Sequence, residues 1–212
     1  MEAVRHALFR PPVNRVVLLA DVVRAAMLIS VVVAGVGWGW IQVAVFMLAV
    51  LATLIPRALG LRASLDLCVG IASLAAAWSN VFDLYVLLPG WDKFMHAVLG
   101  GLIAVLSVVI AQRAGILPPT IQRPGALVVA TLVLGLATGA VWELLEWAGH
   151  TLIDPGVHVG YQDTMGDLAA DGLGALIGGF LLPSLTADPP EPAAPPCSPG
   201  QAASPHGPRE LP

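Results

Sequence analysis

Apolar residues along this chain fall into long unbroken runs, and the polar residues gather at the ends of those runs instead of alternating with them. Runs close to the ~20 residues that a bilayer core demands predict membrane-spanning helices. A membrane β-barrel would show short alternating segments instead. The pattern predicts six spans: Val16 to Gly37, Trp38 to Ile55 with a stop at Pro56, Ser64 to about Asn80, Phe94 to Ala111, Ala126 to Trp147, and Asp167 to Leu185. Residues 81–91 read equally well as an extension of the third span or as an interfacial loop. Trp78, Tyr85 and Trp91 there suit an aromatic belt. The expected fold class is all-α, a polytopic transmembrane helical bundle.

Polar residues add a direction to this bundle. Arg5, Arg10 and Arg15 precede the first span, Arg57 and Arg62 separate the second and third, and Arg113 and Arg123 separate the fourth and fifth. With six spans these all fall on one side, and the positive-inside rule makes that side the cytoplasm. The expected location is a bacterial inner membrane, with both termini cytoplasmic. Residues 1–15 form a basic N-terminal segment without a small-residue cleavage site, so the first run is expected to stay as an anchor. Residues 16–185 form the membrane domain. Residues 186–212, rich in Pro, Ala, Ser and Gly, lack the apolar surface needed to offset ordering entropy and are expected to be a disordered cytoplasmic tail.

Composition agrees with this reading and excludes others. Hydrophobic residues make up 57% of the chain and charged residues 11%, with a mean hydropathy of +0.83. Soluble domains carry about 25% charged residues. The net charge of −4 averages over two sides of a membrane and says little about partners. P-loop and Rossmann patterns are absent, as is any sign of nucleic-acid binding. Cys68 reads as a small buried hydrophobe and Cys197 lies in the tail, so no disulfide is expected.

Candidate chemistry sits at the ends of three apolar runs predicted to share the outer face. These are Asp92-Lys-Phe-Met-His96, Trp142-Glu-Leu-Leu-Glu146-Trp, and Asp163-Thr-Met-Gly-Asp167-Leu-Ala-Ala-Asp171. A charge at the bilayer centre costs on the order of 3 kcal/mol, so such groups are paired, protonated, hydrated or ion-bound. Asp92 and His96, four apart, share a helical face and can reach one ion. Glu143 and Glu146 share another and repel unless a proton or cation lies between them. Asp163 is a candidate helix cap, while Asp167 and Asp171 lie deeper without that explanation. His150 is a possible further ligand if the helix continues past Gly149. His158 and Asp154 lie in the outer loop, where Asp154 reads as a turn residue. Asn80 and Asp83 are candidate additions to the cluster. Asp21 and Arg24 read as a local pair three apart, Asp66 as a first-turn acid, and Gly135, Gly139, Gly172, Gly174, Gly178 and Gly179 as sites of close helix approach.

Trp91-Asp-Lys-Phe-Met-His96-Ala-Val-Leu-Gly100, Glu143-Leu-Leu-Glu146-Trp147, Asp163-Thr-Met-Gly-Asp167 and Gly174-Ala175 together resemble the YjdF-like family of uncharacterised bacterial inner-membrane proteins. The resemblance spans roughly residues 15–185 and implies a six-span protein without supplying a reaction. A looser likeness to VanZ-like membrane proteins rests on the Asp-Lys-x-x-His segment and the acidic final span.

Three functions fit these residues. An ion-coupled, transport-like protein would use Asp92, His96, Glu143, Glu146, Asp163 and Asp167 to bind a cation or relay protons, in a single copy or a homo-oligomer. A metal-dependent hydrolase acting on a lipid-linked substrate would hold a divalent metal on the same oxygen-rich set. Its nucleophile would be a metal-activated water and its base a spare glutamate. A structural polar network or scaffold is the third. The expected partners are the lipid bilayer and a small ion or lipid-linked ligand.

Overall fold

The structure, a computed structural model, describes residues 11–119, 121, 123–157 and 159–186. Arg5, Arg10, His158, Cys197 and the expected disordered tail from residue 187 onward lie outside the described residues, which are helical and contain no strand. Six helices are long and apolar enough to cross a membrane. They are α1 (Arg15–Trp38), α2 (Trp40–Ala58), α3 (Ala63–Val81), α5 (Trp91–Arg113), α6 (Pro124–Leu152) and α7 (Tyr161–Thr186), with the one-turn α4 (Leu84–Leu87) between α3 and α5.

Local chemistry sets the ends. The Asn14 side chain accepts hydrogen bonds from the Val16 and Val17 amides and starts α1. Gly39, at φ 95°, turns the chain directly from α1 into α2. Pro56 does not stop α2 as its position suggests; it sits inside the last turn, which closes two residues later. Pro124 opens α6 at its first turn, where a missing amide costs nothing. Residues 82–90 resolve as a turn, one helical turn and a second turn at Gly90. Trp91 and Tyr85 pin this segment: the Trp91 indole donates to Ser79 Oγ at 2.9 Å and the Tyr85 hydroxyl to the Ala76 carbonyl at 3.0 Å.

The helices pack as two triplets. Met27, Ala34, Phe46, Val50, Ala77 and Val81 join α1, α2 and α3 in one core. Leu65, Val69, Val105, Val108, Leu127 and Leu182 form a second, in which α3 meets α5, α6 and α7. Large apolar side chains such as Leu18, Ile29, Val32, Val133 and Phe180 point outward, as a lipid environment requires. Cys68 is among the exposed residues, contrary to its expected burial.

At one end of the bundle Arg62 donates to the Ser184 carbonyl at 2.6 Å and Arg113 to that of Leu59, so the α2–α3 turn and the ends of α5 and α7 share a side. Near that end lies a quartet of charges spread over three helices. Arg24 reaches Asp21 and Asp66, each at 2.6 Å, and Arg57 reaches Asp21 at 3.2 Å. This corrects two expectations. Asp21–Arg24 is not merely a local pair. Arg57 is not a loop residue but a buried α2 side chain, so the basic-side count rests on Arg15, Arg62, Arg113 and Arg123 among the described residues.

Candidate functional site

The opposite end holds the acids and the histidine. The α5 helix supplies Asp92, Lys93 and His96 from its first turns. It then widens into a π-helical turn over His96–Gly100 before returning to α-helix at Gly101. Single π turns inside α-helices concentrate at functional sites. This one faces α7 at backbone contact. A Cβ on Gly174 would stand 1.9 Å from the Ala97 carbonyl oxygen, and one on Gly101 would stand 2.6 Å from the Gly174 carbonyl oxygen. Only glycine allows that approach, which draws the acids of α7 level with His96.

Asp171 is the pivot. It is 2% exposed and wedged between two glycines on different helices. A Cβ on Gly100 of α5 or on Gly139 of α6 would lie 2.2 Å from one or the other of its carboxylate oxygens. Both oxygens are 3.3 Å from His96 Nδ1, so the Nδ1–H donates to Asp171. A carboxylate behind one ring nitrogen fixes the imidazole's tautomer and orientation, the arrangement found behind metal-binding histidines. His96 Nε2 is left to face the other acids, with Asp92 Oδ1 3.9 Å away.

Two groups of ligand atoms share His96. Asp92, His96 and Asp167 each offer one atom, all within 4.8 Å of one another, and the same holds for His96, Glu143 and Glu146. Lys93 Nζ stands 3.6 Å from Asp167 Oδ1 and 3.8 Å from Asp163 Oδ1. Two buried carboxylate oxygens, Glu143 Oε1 and Asp167 Oδ1, accept no hydrogen bond from the described residues. A buried polar atom without a donor costs free energy comparable to a lost hydrogen bond, and more when charged. Beside Glu143 lies a mostly apolar groove of about 400 Å³, lined by Ala140, Leu144, Trp147, Val159, Thr164 and Leu168. Burial first, then the charges of Asp92 and Glu146, raise the Tyr85 phenol above its ordinary value, so it stays protonated.

The structure thus brings Asp92, His96, Glu143, Glu146, Asp163, Asp167 and Asp171 to one end of α5–α7. Asp163 is not a cap, because α7 already begins at Tyr161 and Asp163 lies within its first turn. Asp171, expected to lie deeper than a capping residue, is central. His150 is absorbed elsewhere: α6 continues past Gly149, and His150 Nδ1 donates to the Val157 carbonyl at 2.7 Å. Asp154 is the turn residue expected, accepting from the Gly156 amide at 2.8 Å. Asn80 instead donates to Gln42 at 2.9 Å, and Asp83, in a left-handed turn, is in neither ligand group. Sequence reasoning missed the Gly100–Gly139 notch around Asp171. The Gly100-Gly101 pair interrupting an apolar run was the available signal.

The model of a family described as "Predicted membrane protein (DUF2238)" matches residues 15–186, and the chain belongs to that family. The YjdF-like resemblance is consistent with this match. No curated protein and no solved structure matches the chain.

Proposed function

We propose that this member of a predicted membrane-protein family binds a cation between α5, α6 and α7, and that this site serves ion-coupled, transport-like movement across the bilayer. The observation that carries the reading is the pair of buried, donor-less oxygens, Glu143 Oε1 and Asp167 Oδ1, belonging to the two ligand groups that share a histidine held from behind by Asp171. A cation held by either group would satisfy the oxygen that group contributes. An oxygen-rich set with one imidazole suits a hard or borderline divalent ion, Mg, Mn, Fe or Zn, better than soft copper. The basic residues at the opposite end support a site facing outward from a bacterial inner membrane, with both termini in the cytoplasm.

A second reading, hydrolysis of a lipid-linked substrate, is favoured by the apolar groove beside Glu143. Two measurements separate the readings. Metal analysis of purified protein, wild type against Glu143→Gln, is expected to show stoichiometric metal lost in the variant; no bound metal in wild type overturns the metal site. Flux in proteoliposomes that falls with Glu146→Gln supports transport. Absence of flux from a metal-loaded protein moves the assignment to hydrolysis.

A further inference from the structure

We propose that Lys93 is a tethered cation that neutralises the Asp163–Asp167 side of the site until a soluble divalent ion displaces it, so that Lys93 sets the affinity of the site. The inference deepens the cation-binding reading above and rests on it.

The geometry of the ammonium group is that of a placeholder. At 3.6 Å and 3.8 Å from its carboxylate oxygens, Lys93 Nζ is within ion-pair range of both Asp167 and Asp163 but too far for a good hydrogen bond. It offsets charge while leaving Asp167 Oδ1 without a donor. Asp167 is 2% exposed, so this oxygen cannot turn to water for compensation. The Lys93 side chain is 47% exposed, so its ammonium has a route into solvent. Its stem crosses α7 at Gly166, where a Cβ would lie 2.5 Å from Lys93 Cε. Glycine at this position makes room for the stem.

Competition follows from shared atoms. Asp167 belongs both to the lysine's ion pair and to the group formed with Asp92 and His96. An ion placed on that group would share Asp167 with Nζ, and like charges at such range repel. Occupation therefore expels the ammonium, and its swing outward lowers the apparent affinity of the site. A divalent ion brings more charge than the ammonium it replaces, whereas a monovalent ion only matches it. Lys93 thus also biases the site toward divalent ions.

The test is Mn²⁺ binding to the purified full-length protein in detergent, followed by the electron paramagnetic resonance signal of free Mn²⁺. Wild type, Lys93→Met, Lys93→Gln, Lys93→Arg and Glu143→Gln are compared. Removing the charge with Met or Gln is expected to tighten Mn²⁺ binding roughly tenfold, equivalent to about 1.4 kcal/mol. Lys93→Arg is expected to bind no more tightly than wild type. A residue holding the fold alone would not raise affinity when removed. Should wild type bind Mn²⁺ and lose it with Glu143→Gln, while both Lys93→Met and Lys93→Gln bind equally or more weakly, the tether is overturned and the cation site stands. Absence of Mn²⁺ binding in every variant overturns both.

Discussion

Two polar clusters sit at opposite ends of this bundle, and they are built on different terms. The quartet of Asp21, Arg24, Arg57 and Asp66 has as many bases as acids, and its ion pairs run at 2.6 to 3.2 Å. It ties α1, α2 and α3 together and presents no excess charge. The cluster on α5–α7 sets six carboxyl groups, Asp92, Glu143, Glu146, Asp163, Asp167 and Asp171, against Lys93 and His96. Its ion-pair distances are 3.3 to 3.9 Å, and two of its buried oxygens lack donors. Both clusters bear the desolvation cost of burial. The balanced one recovers that cost in its own ion pairs, while the acidic one, with six carboxyl groups against one lysine and one histidine, has no such balance among the described residues. Charge balance and bond length thus distinguish the two clusters more sharply than the mere presence of ionisable residues in a membrane helix.

The largest expected effect breaks the brace. Arg24→Met strips Asp66 and one side of Asp21 of their guanidinium, and uncompensated buried charge costs about 3–5 kcal/mol. Thermal unfolding followed by circular dichroism in detergent is expected to show that loss. The double variant Arg24→Met/Asp66→Leu should recover most of it. If Arg24→Met unfolds like wild type, the quartet is not the brace described here.

The same substitution logic gives the opposite sign at the acidic end. Glu143→Gln removes a charge that has no donor on one oxygen, so stability without metal is expected to hold or rise slightly. What it should lose is stabilisation by added Mn²⁺. In wild type this linkage is expected to amount to about 2.7 kcal/mol at a hundred times the dissociation constant. A variant whose melting temperature still climbs with Mn²⁺ would place the ion elsewhere.

Much of this contrast was legible in the chain and part of it was not. Six apolar runs and three acidic segments are one-dimensional signals, and local sequence carries them. Asp92 and His96 share a face by spacing alone. Asp171 could not be ranked that way, because its importance comes from Gly100 and Gly139 on two other helices. A glycine states that something approaches closely but not what. Arg57 misled for a related reason: its position after Pro56 marks a helix end, and only the fold reveals that the last turn of α2 lies against Asp21. His150 looked equal to His96 by type; the α6–α7 loop that takes its Nδ1 has no periodic pattern to announce it.

The glycine notch supplies the third prediction. Gly139→Ala places a methyl where Asp171 Oδ2 now sits, at 2.2 Å, so the carboxylate must shift. Overpacking of this kind costs about 1–3 kcal/mol. Because Asp171 orients His96, Mn²⁺ affinity is expected to fall together with stability. An equal stability loss from Gly179→Ala, which faces Val128 and Thr131 well away from His96, should leave affinity unchanged. If both variants weaken Mn²⁺ alike, Asp171 is packing and not an orienting group.

The smallest expected effect fixes the border of the acidic cluster. His150 lies one turn beyond Glu146 on α6, yet its ring nitrogen is bound to the Val157 carbonyl at 2.7 Å. His150→Ala removes one hydrogen bond between the helix end and the loop, worth about 1 kcal/mol or less. The Mn²⁺-induced rise in melting temperature should survive intact, whereas His96→Ala should abolish it. Loss of that rise in His150→Ala would extend the receptor onto the α6–α7 loop. The imidazole would then have to leave Val157 to reach an ion, and the loop would become a moving part of the site.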